Sequence, residues 1–214
     1  MGKEEIPVVT AIPIVVGEST PLVGEVTGGG RWKDDLCSCC KFGPCHPSLI
    51  CSLFLPQIML GQILTRLKFD ILGDPAPTEV YKVTFQRMIM IFVAYLIIAL
   101  ILGSDDGYDY EEETQLPVIL TPVTWKARAE RITDAVLFFY TLYVMIKARK
   151  AIRKRYGIPT SSCGSLEDCC CSFFCSCCTI SQMARQTADY DTYAGKCCST
   201  TGLPDNAQTI LIDV

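Results

Sequence analysis

Residues 88–102, MIMIFVAYLIIALIL, run for fifteen positions without a charge or a helix breaker. A membrane-crossing helix needs about 20 mostly apolar residues, with a lower limit of roughly 17. The run reaches that length by recruiting Val83, Phe85 and Gly103 and by laying the aliphatic stem of Arg87 along the apolar surface while its head returns to water. A second stretch, residues 135–146, AVLFFYTLYVMI, reaches it only with Ile132 and Thr133 at one end and Lys147 at the other. Both are apolar on every face rather than on one stripe, and a chain of 214 residues has little else with which to cover two such helices. The pattern predicts a transmembrane helical hairpin with apolar helices at about 83–103 and 132–147.

Charge sets the expected orientation. The net charge of −4 conceals a segregation, with acid concentrated in residues 105–113 and base in residues 147–155. Arg66, Lys68, Lys82 and Arg87 precede the first stretch, and Lys147, Arg149, Lys150, Arg153, Lys154 and Arg155 follow the second; the connection carries only Lys126, Arg128 and Arg131. The positive-inside rule then places both termini in the cytosol and the acidic loop outside. The run 147–155 is also expected to lie at the membrane surface and attract anionic lipid. An acidic balance without a dispersed basic face argues against a nucleic-acid partner.

Around the hairpin, residues 1–30 show no helical period and end in three glycines, which predicts a flexible arm; 191–214 reads as a flexible tail, and 31–190 as the cysteine-rich domain. GGGRWK lacks the closing Lys-Ser/Thr of a phosphate loop. The first residues hold no uninterrupted apolar segment of signal-peptide length, and Ile6 stands where a myristoylation motif wants Ser or Thr. Residues 49–69 form a largely apolar helical stretch, kinked at Pro56 and carrying Gln57, Gln62 and Arg66. That is too polar for a span and fits an interfacial or re-entrant amphipathic helix. The expected fold is all-α: a small cysteine-rich membrane protein with a two-helix transmembrane hairpin and this additional helix.

Fourteen cysteines fall mainly into two blocks, residues 37–51 and 169–178. Both lie on the expected cytosolic side, where stable disulfides are rare. Metal binding, S-acylation and plain packing remain. On one continuous helix Cys171, Cys175 and Cys178 would share a face at i, i+4 and i+7. With Cys170 beside them and Cys37, Cys39, Cys40 and Cys45 from the first block, they are the candidate ligands for zinc or another thiophilic metal, which thiolates select. No clean pair of CxxC knuckles accompanies them, and His46 is the single histidine. His46 adjoins Cys45, but neighbouring side chains point apart and nothing supplies an orienting base, so no enzyme is expected.

LCSCCKFGPCHPSLICSLFLPQIMLGQI, followed later by RKRYGIPTSSCGSLEDCCCSFFCSCCTISQMARQT, resembles the placenta-specific-8 cysteine-rich family, which includes onzin, cornifelin, and the plant cadmium-resistance and fruit-weight or cell-number-regulator proteins. Tyr156-Gly157-Ile158-Pro159, Glu167-Asp168-Cys169-Cys170, the cluster from Cys175 to Cys178, and Gln182, Met183 and Arg185 carry the resemblance, which covers about residues 32–190. Where the family commonly has Cys-Pro-Cys, this chain has Leu55-Pro56-Gln57. The resemblance implies a helical plasma-membrane protein that associates with copies of itself or with other membrane proteins. It implies a non-enzymatic scaffold or regulator of growth, cell number or metal homeostasis, or alternatively an oligomeric transporter or channel for zinc, cadmium or calcium.

Overall fold

The computed structural model of the chain describes residues 30–103, 125–160, 164–204 and 207. The flexible arm expected before Gly30 and the acidic stretch 105–113 lie outside the described residues. Among the described residues the protein is mostly helical and has no strand; one isolated bridge pairs Phe69 with Pro75. In chain order come a 3₁₀ turn at Ser38–Cys40, α1 (Pro47–Phe54), α2 (Pro56–Leu67), α3 (Thr78–Tyr81), α4 (Thr84–Gly103), α5 (Trp125–Tyr156), a second 3₁₀ turn at Gly164–Leu166, α6 (Glu167–Phe174) and α7 (Ser176–Thr187).

Local chemistry sets several boundaries. Pro47 occupies the first turn of α1, where its missing N–H costs nothing, and His46 caps the helix by accepting from the Ser48 N–H through Nδ1 at 3.2 Å. Pro56 then breaks the helical run as expected, since its ring disfavours a helical conformation at Leu55, which sits at φ −134°, ψ 54°. α6 and α7 are separated by a similar break at Cys175 with no proline present. There the Thr179 hydroxyl reaches back over the break to donate to the Cys171 carbonyl at 2.9 Å.

The core lies where α2, α7 and the second half of α5 meet the start of α4. Leu60, Ile63, Leu64, Met88, Val144, Ile152 and Met183 are each completely buried there. Each such side chain contributes about 1.5–3 kcal/mol relative to exposure. α2 comes so near α4 that a Cβ on Gly61 would stand 3.1 Å from that of Met88. Packing continues beyond residue 190: Leu203 and Ala207 join the core, and Gln62 Nε2 donates toward the carbonyls of Lys196, Cys197 and Ser199 at 3.2, 2.5 and 2.9 Å.

From this base α4 and the first part of α5 project. The helical run Thr78–Gly103 is long and apolar enough to cross a membrane, and 11% of its apolar part is buried within the protein. Met90, Val93, Leu96, Ile97, Leu100 and Ile101 are exposed. No second helix among the described residues meets that test. α5 is longer than expected: it begins at Trp125, and its apolar stretch starts only after Arg131 and Asp134. The shortfall lies in charge, since Glu130, Arg131 and Asp134 on one side and Lys147 and Arg149 on the other leave the apolar run of α5 too short. Tyr140 Oη lies 3.1 Å from Met88 Sδ, and Tyr95 Oη donates to Asp134 Oδ1 at 3.0 Å, so residues 96–102 of α4 run beside the charged beginning of α5. The two apolar stretches are staggered; Val144 and Met145 of α5 are buried in the base, whereas Val136, Phe138, Phe139 and Tyr143 are exposed.

Candidate functional site: the cysteine blocks and the polar base

The breaks and turns just described distribute the thiols. Every described cysteine is free. Cys39, on the first 3₁₀ turn, comes within 4.0 Å of Cys178 on α7, Sγ to Sγ, and Cys178 lies 3.9 Å from Cys177. Burial, then Cys177, then Cys39 push the Cys178 thiol up to about 12, so it stays protonated at neutral pH. Cys37, Cys40, Cys45, Cys170 and Cys175 are exposed. Cys171 is half-buried and is also raised, chiefly by burial, against the opposing charge of Arg149. The face expected to unite Cys171, Cys175 and Cys178 is interrupted, because α6 ends at Phe174 and α7 begins at Ser176.

A thiolate zinc site needs four ligands at about 2.3 Å from the metal. Among the described residues no group of three or more His, Cys, Asp or Glu side chains is arranged to hold a metal ion. Of the eight candidate ligands, Cys39 and Cys178 are brought together, with Cys177 as an addition that spacing did not single out. A further thiol group was also missed. Cys51 is fully buried and raised to about 12 by desolvation, by its hydrogen bond with Cys197 and by the nearness of Cys198. The sequence signal for it was weak, since Cys51 and Cys197 are 146 residues apart and Cys197-Cys198 lies in the stretch read as tail.

Beneath the cysteines lies a buried polar network. Asp168 Oδ1 accepts from Arg149 Nε at 3.1 Å and from Arg153 Nη1 at 3.0 Å, and Glu167 Oε2 stands 3.1 Å from the same Arg153 nitrogen. Arg149 also donates through Nη1 to Gln182 Oε1 at 2.7 Å and lies 4.4 Å from the Trp32 ring centre. Gln182 Nε2 donates to the Asp34 carbonyl at 3.0 Å, and Arg185 Nε pairs with the Asp34 carboxylate at 3.2 Å. The basic run 147–155 therefore offers lipid less charge than its composition suggests. Arg149 and Arg153 are buried in ion pairs and Lys147 reaches Asp74 at 2.5 Å, which leaves Lys150 and Lys154 exposed.

His46 has a structural role in the same base. Its ring lies 5.0 Å from those of both Phe42 and Tyr190. Burial first, and the charge of Arg185 second, hold it below the ordinary histidine range, so the neutral ring keeps the Nδ1 lone pair that caps α1.

These features define a cysteine-rich helical protein in which one apolar helix rises from an ion-paired base. The chain belongs to the PLAC8 family, which it matches over residues 32–186. This family is not known as an enzyme family. No curated protein and no solved structure matches the chain.

Proposed function

We propose that the chain is a non-enzymatic integral membrane protein of the plasma membrane, a scaffold or regulator in growth, cell-number control or metal homeostasis. α4 crosses the bilayer with α5 against it as a hairpin, and both termini face the cytosol. The observation that carries this reading is α4 itself, 20 residues long, whose large apolar side chains beyond Met88 are exposed or half-buried. In water they would form an exposed patch far larger than soluble monomers present. The base beneath it, with its thiols and remaining cations, offers the surface for other membrane proteins or further copies of the chain.

The test is alkaline carbonate extraction of membranes holding the full chain, followed by reagent access from each side to Cys45 and to a cysteine placed at Asp109. Retention in the pellet, with Cys45 reached from the cytosolic side and position 109 from the outside, supports the reading. Release into the supernatant overturns it. Zinc at near-stoichiometric ratio by elemental mass spectrometry, lost on replacing Cys39 and Cys178 with Ser, is the result that would add a thiophilic metal.

One observation favours a second reading, an oligomeric pathway for divalent or heavy-metal cations. Asp134 is exposed and bonded to Tyr95, midway along α4, and an ionisable group at such depth is costly unless it lines a polar path or meets partners. Metal flux into liposomes that is abolished by Asp134→Asn would favour transport over scaffolding.

A further inference from the structure

The break at Leu55 between α1 and α2 and the break at Cys175 between α6 and α7 share one geometry. Each joins a helix of 8 residues to one of 12 through a single residue, at φ −134°, ψ 54° in the first and φ −132°, ψ 49° in the second. In both, the N–H of the break residue donates to the carbonyl four back, Cys51 at 2.9 Å and Cys171 at 3.0 Å. In both, its own carbonyl accepts from the residue four ahead, Met59 at 3.3 Å and Thr179 at 2.8 Å.

Aligning the breaks sets each residue of the first pair against the one 120 positions later. That register places Cys51 on Cys171, Ser52 on Ser172, Phe54 on Phe174 and Gln62 on Gln182. Burial follows the same register. Ser52, Ser172, Gln62 and Gln182 are inside, whereas Leu53, Phe54, Phe173 and Phe174 are 55%, 69%, 51% and 77% exposed. Phe173 and Phe174 join the exposed Phe138 in one contiguous apolar patch, the kind that marks a contact surface.

Both breaks also reach one turn of α5. Gln57, two residues past the first, donates through Nε2 to Thr141 Oγ1 at 3.2 Å, and Phe173, two residues before the second, meets the Phe138 ring edge-on at 6.0 Å. Thr141 and Phe138 are three residues apart, about 4.5 Å along a helix axis. Tyr140, between them, touches Met88, where the apolar run of α4 begins. The exposed cations Lys82, Arg87 and Lys150 lie at or behind this level on the side of the base.

We propose that α1–α2 and α6–α7 are two copies of one kinked unit, whose breaks enter the cytosolic leaflet side by side and place Leu53, Phe54, Phe173 and Phe174 among the lipid acyl chains. The occupant of this surface is lipid because Phe174 and Phe173 run on, ring to ring, into the exposed Phe138 and Phe139 of α5, and because cations stand behind them where anionic headgroups lie. The proposal rests on α4 spanning the membrane and adds two shallow insertions on one side of it.

Tryptophan depth in reconstituted full-length protein tests this, using vesicles of phosphatidylcholine and phosphatidylserine with bromine at defined acyl positions. Phe54→Trp and Phe174→Trp report on the breaks, Ile97→Trp in α4 is the deep reference, and the emission of Trp32 and Trp125 in the unsubstituted protein is subtracted. The expected result is that both break probes are quenched, most strongly by bromines about 5–10 Å below the headgroup boundary, while Ile97→Trp is quenched best by deeper ones. Leu53→Trp and Phe173→Trp repeat the measurement if either first variant loses its helical circular dichroism.

Break probes open to aqueous iodide, with Ile97→Trp still quenched by lipid, overturn the insertion and leave the spanning helix intact. Probes shielded from both iodide and lipid overturn it in favour of a protein contact. Quenching at one break alone overturns the claim of two equivalent units. If Ile97→Trp itself escapes lipid, the membrane reading falls and the insertion falls with it.

Discussion

Replacing Asp168 with Asn keeps the shape of the side chain and removes a charge that two guanidinium groups share. Oδ1 lies 3.1 Å from Arg149 Nε and 3.0 Å from Arg153 Nη1, and all three side chains are at most 5% exposed. Breaking a buried ion pair by removing one partner costs about 3–5 kcal/mol. Glu167 cushions part of this: it remains 3.1 Å from Arg153 but only 3.9 Å from Arg149, and it is 17% exposed. The loss therefore falls mainly on Arg149, and the lower end of the range, about 3 kcal/mol, is expected. Glu167→Gln leaves Asp168 in place and should cost about 1 kcal/mol or less. Urea unfolding in detergent, followed by circular dichroism, measures both. Alkylation of fully buried Cys51, located by peptide mass, gives an independent readout: 3 kcal/mol corresponds to roughly 100-fold faster labelling through opening. Asp168→Asn within 1 kcal/mol of the parent, or Glu167→Gln costing more than Asp168→Asn, would refute the assignment of the network to Asp168.

Gly61→Val forces a branched side chain against Met88 and Phe85, whose nearest atoms lie 3.1–3.4 Å from the added Cβ, and should cost about 1–3 kcal/mol in the same unfolding assay. Gly202→Ala combines φ +74° with a Cβ 2.6 Å from Gln62 Oε1, on a side chain whose amide is already held by three carbonyls. It should cost about 1–3 kcal/mol and speed the alkylation of Cys197. Stability should fall as pH rises from 9 toward about 12, because Cys51 and Cys178 keep their protons in the folded state up to about 12 while unfolded thiols release theirs near 9.0. Cys51→Ala combined with Cys178→Ala should flatten that slope, as read by melting temperature against pH.

The apolar run 88–102 and the break at Pro56 were legible because each carries its cause in local chemistry: the absence of charge in one, a ring without an N–H in the other. The break at Cys175 has no such mark, since Thr179 acts across it from a position that any helix accommodates. α5 was expected to begin near 132, yet helical geometry already runs through Lys126, Arg128, Glu130 and Arg131, because charge stops an apolar stretch without stopping a helix. The basic run was expected at the lipid surface. Its composition could not reveal that Glu167 and Asp168 return to Arg149 and Arg153, a contact set by tertiary packing. Cys39 and Cys178 were both among the expected ligands, whereas the meeting of Cys51 with Cys197 was hidden for the same reason, since it arises only after the chain has folded back.

Gln62 and Gln182, equivalent in the two kinked units, hold opposite ends of the described chain: Gln182 the Asp34 carbonyl, Gln62 those of Lys196, Cys197 and Ser199. A pulling force applied through the two ends therefore meets the Lys33 contacts with Gln186 and Asp191 and then these amide clasps, and α4 and α5 bear no tension until they give way. Such loading would peel the base apart from its edges and leave the apolar helix seated.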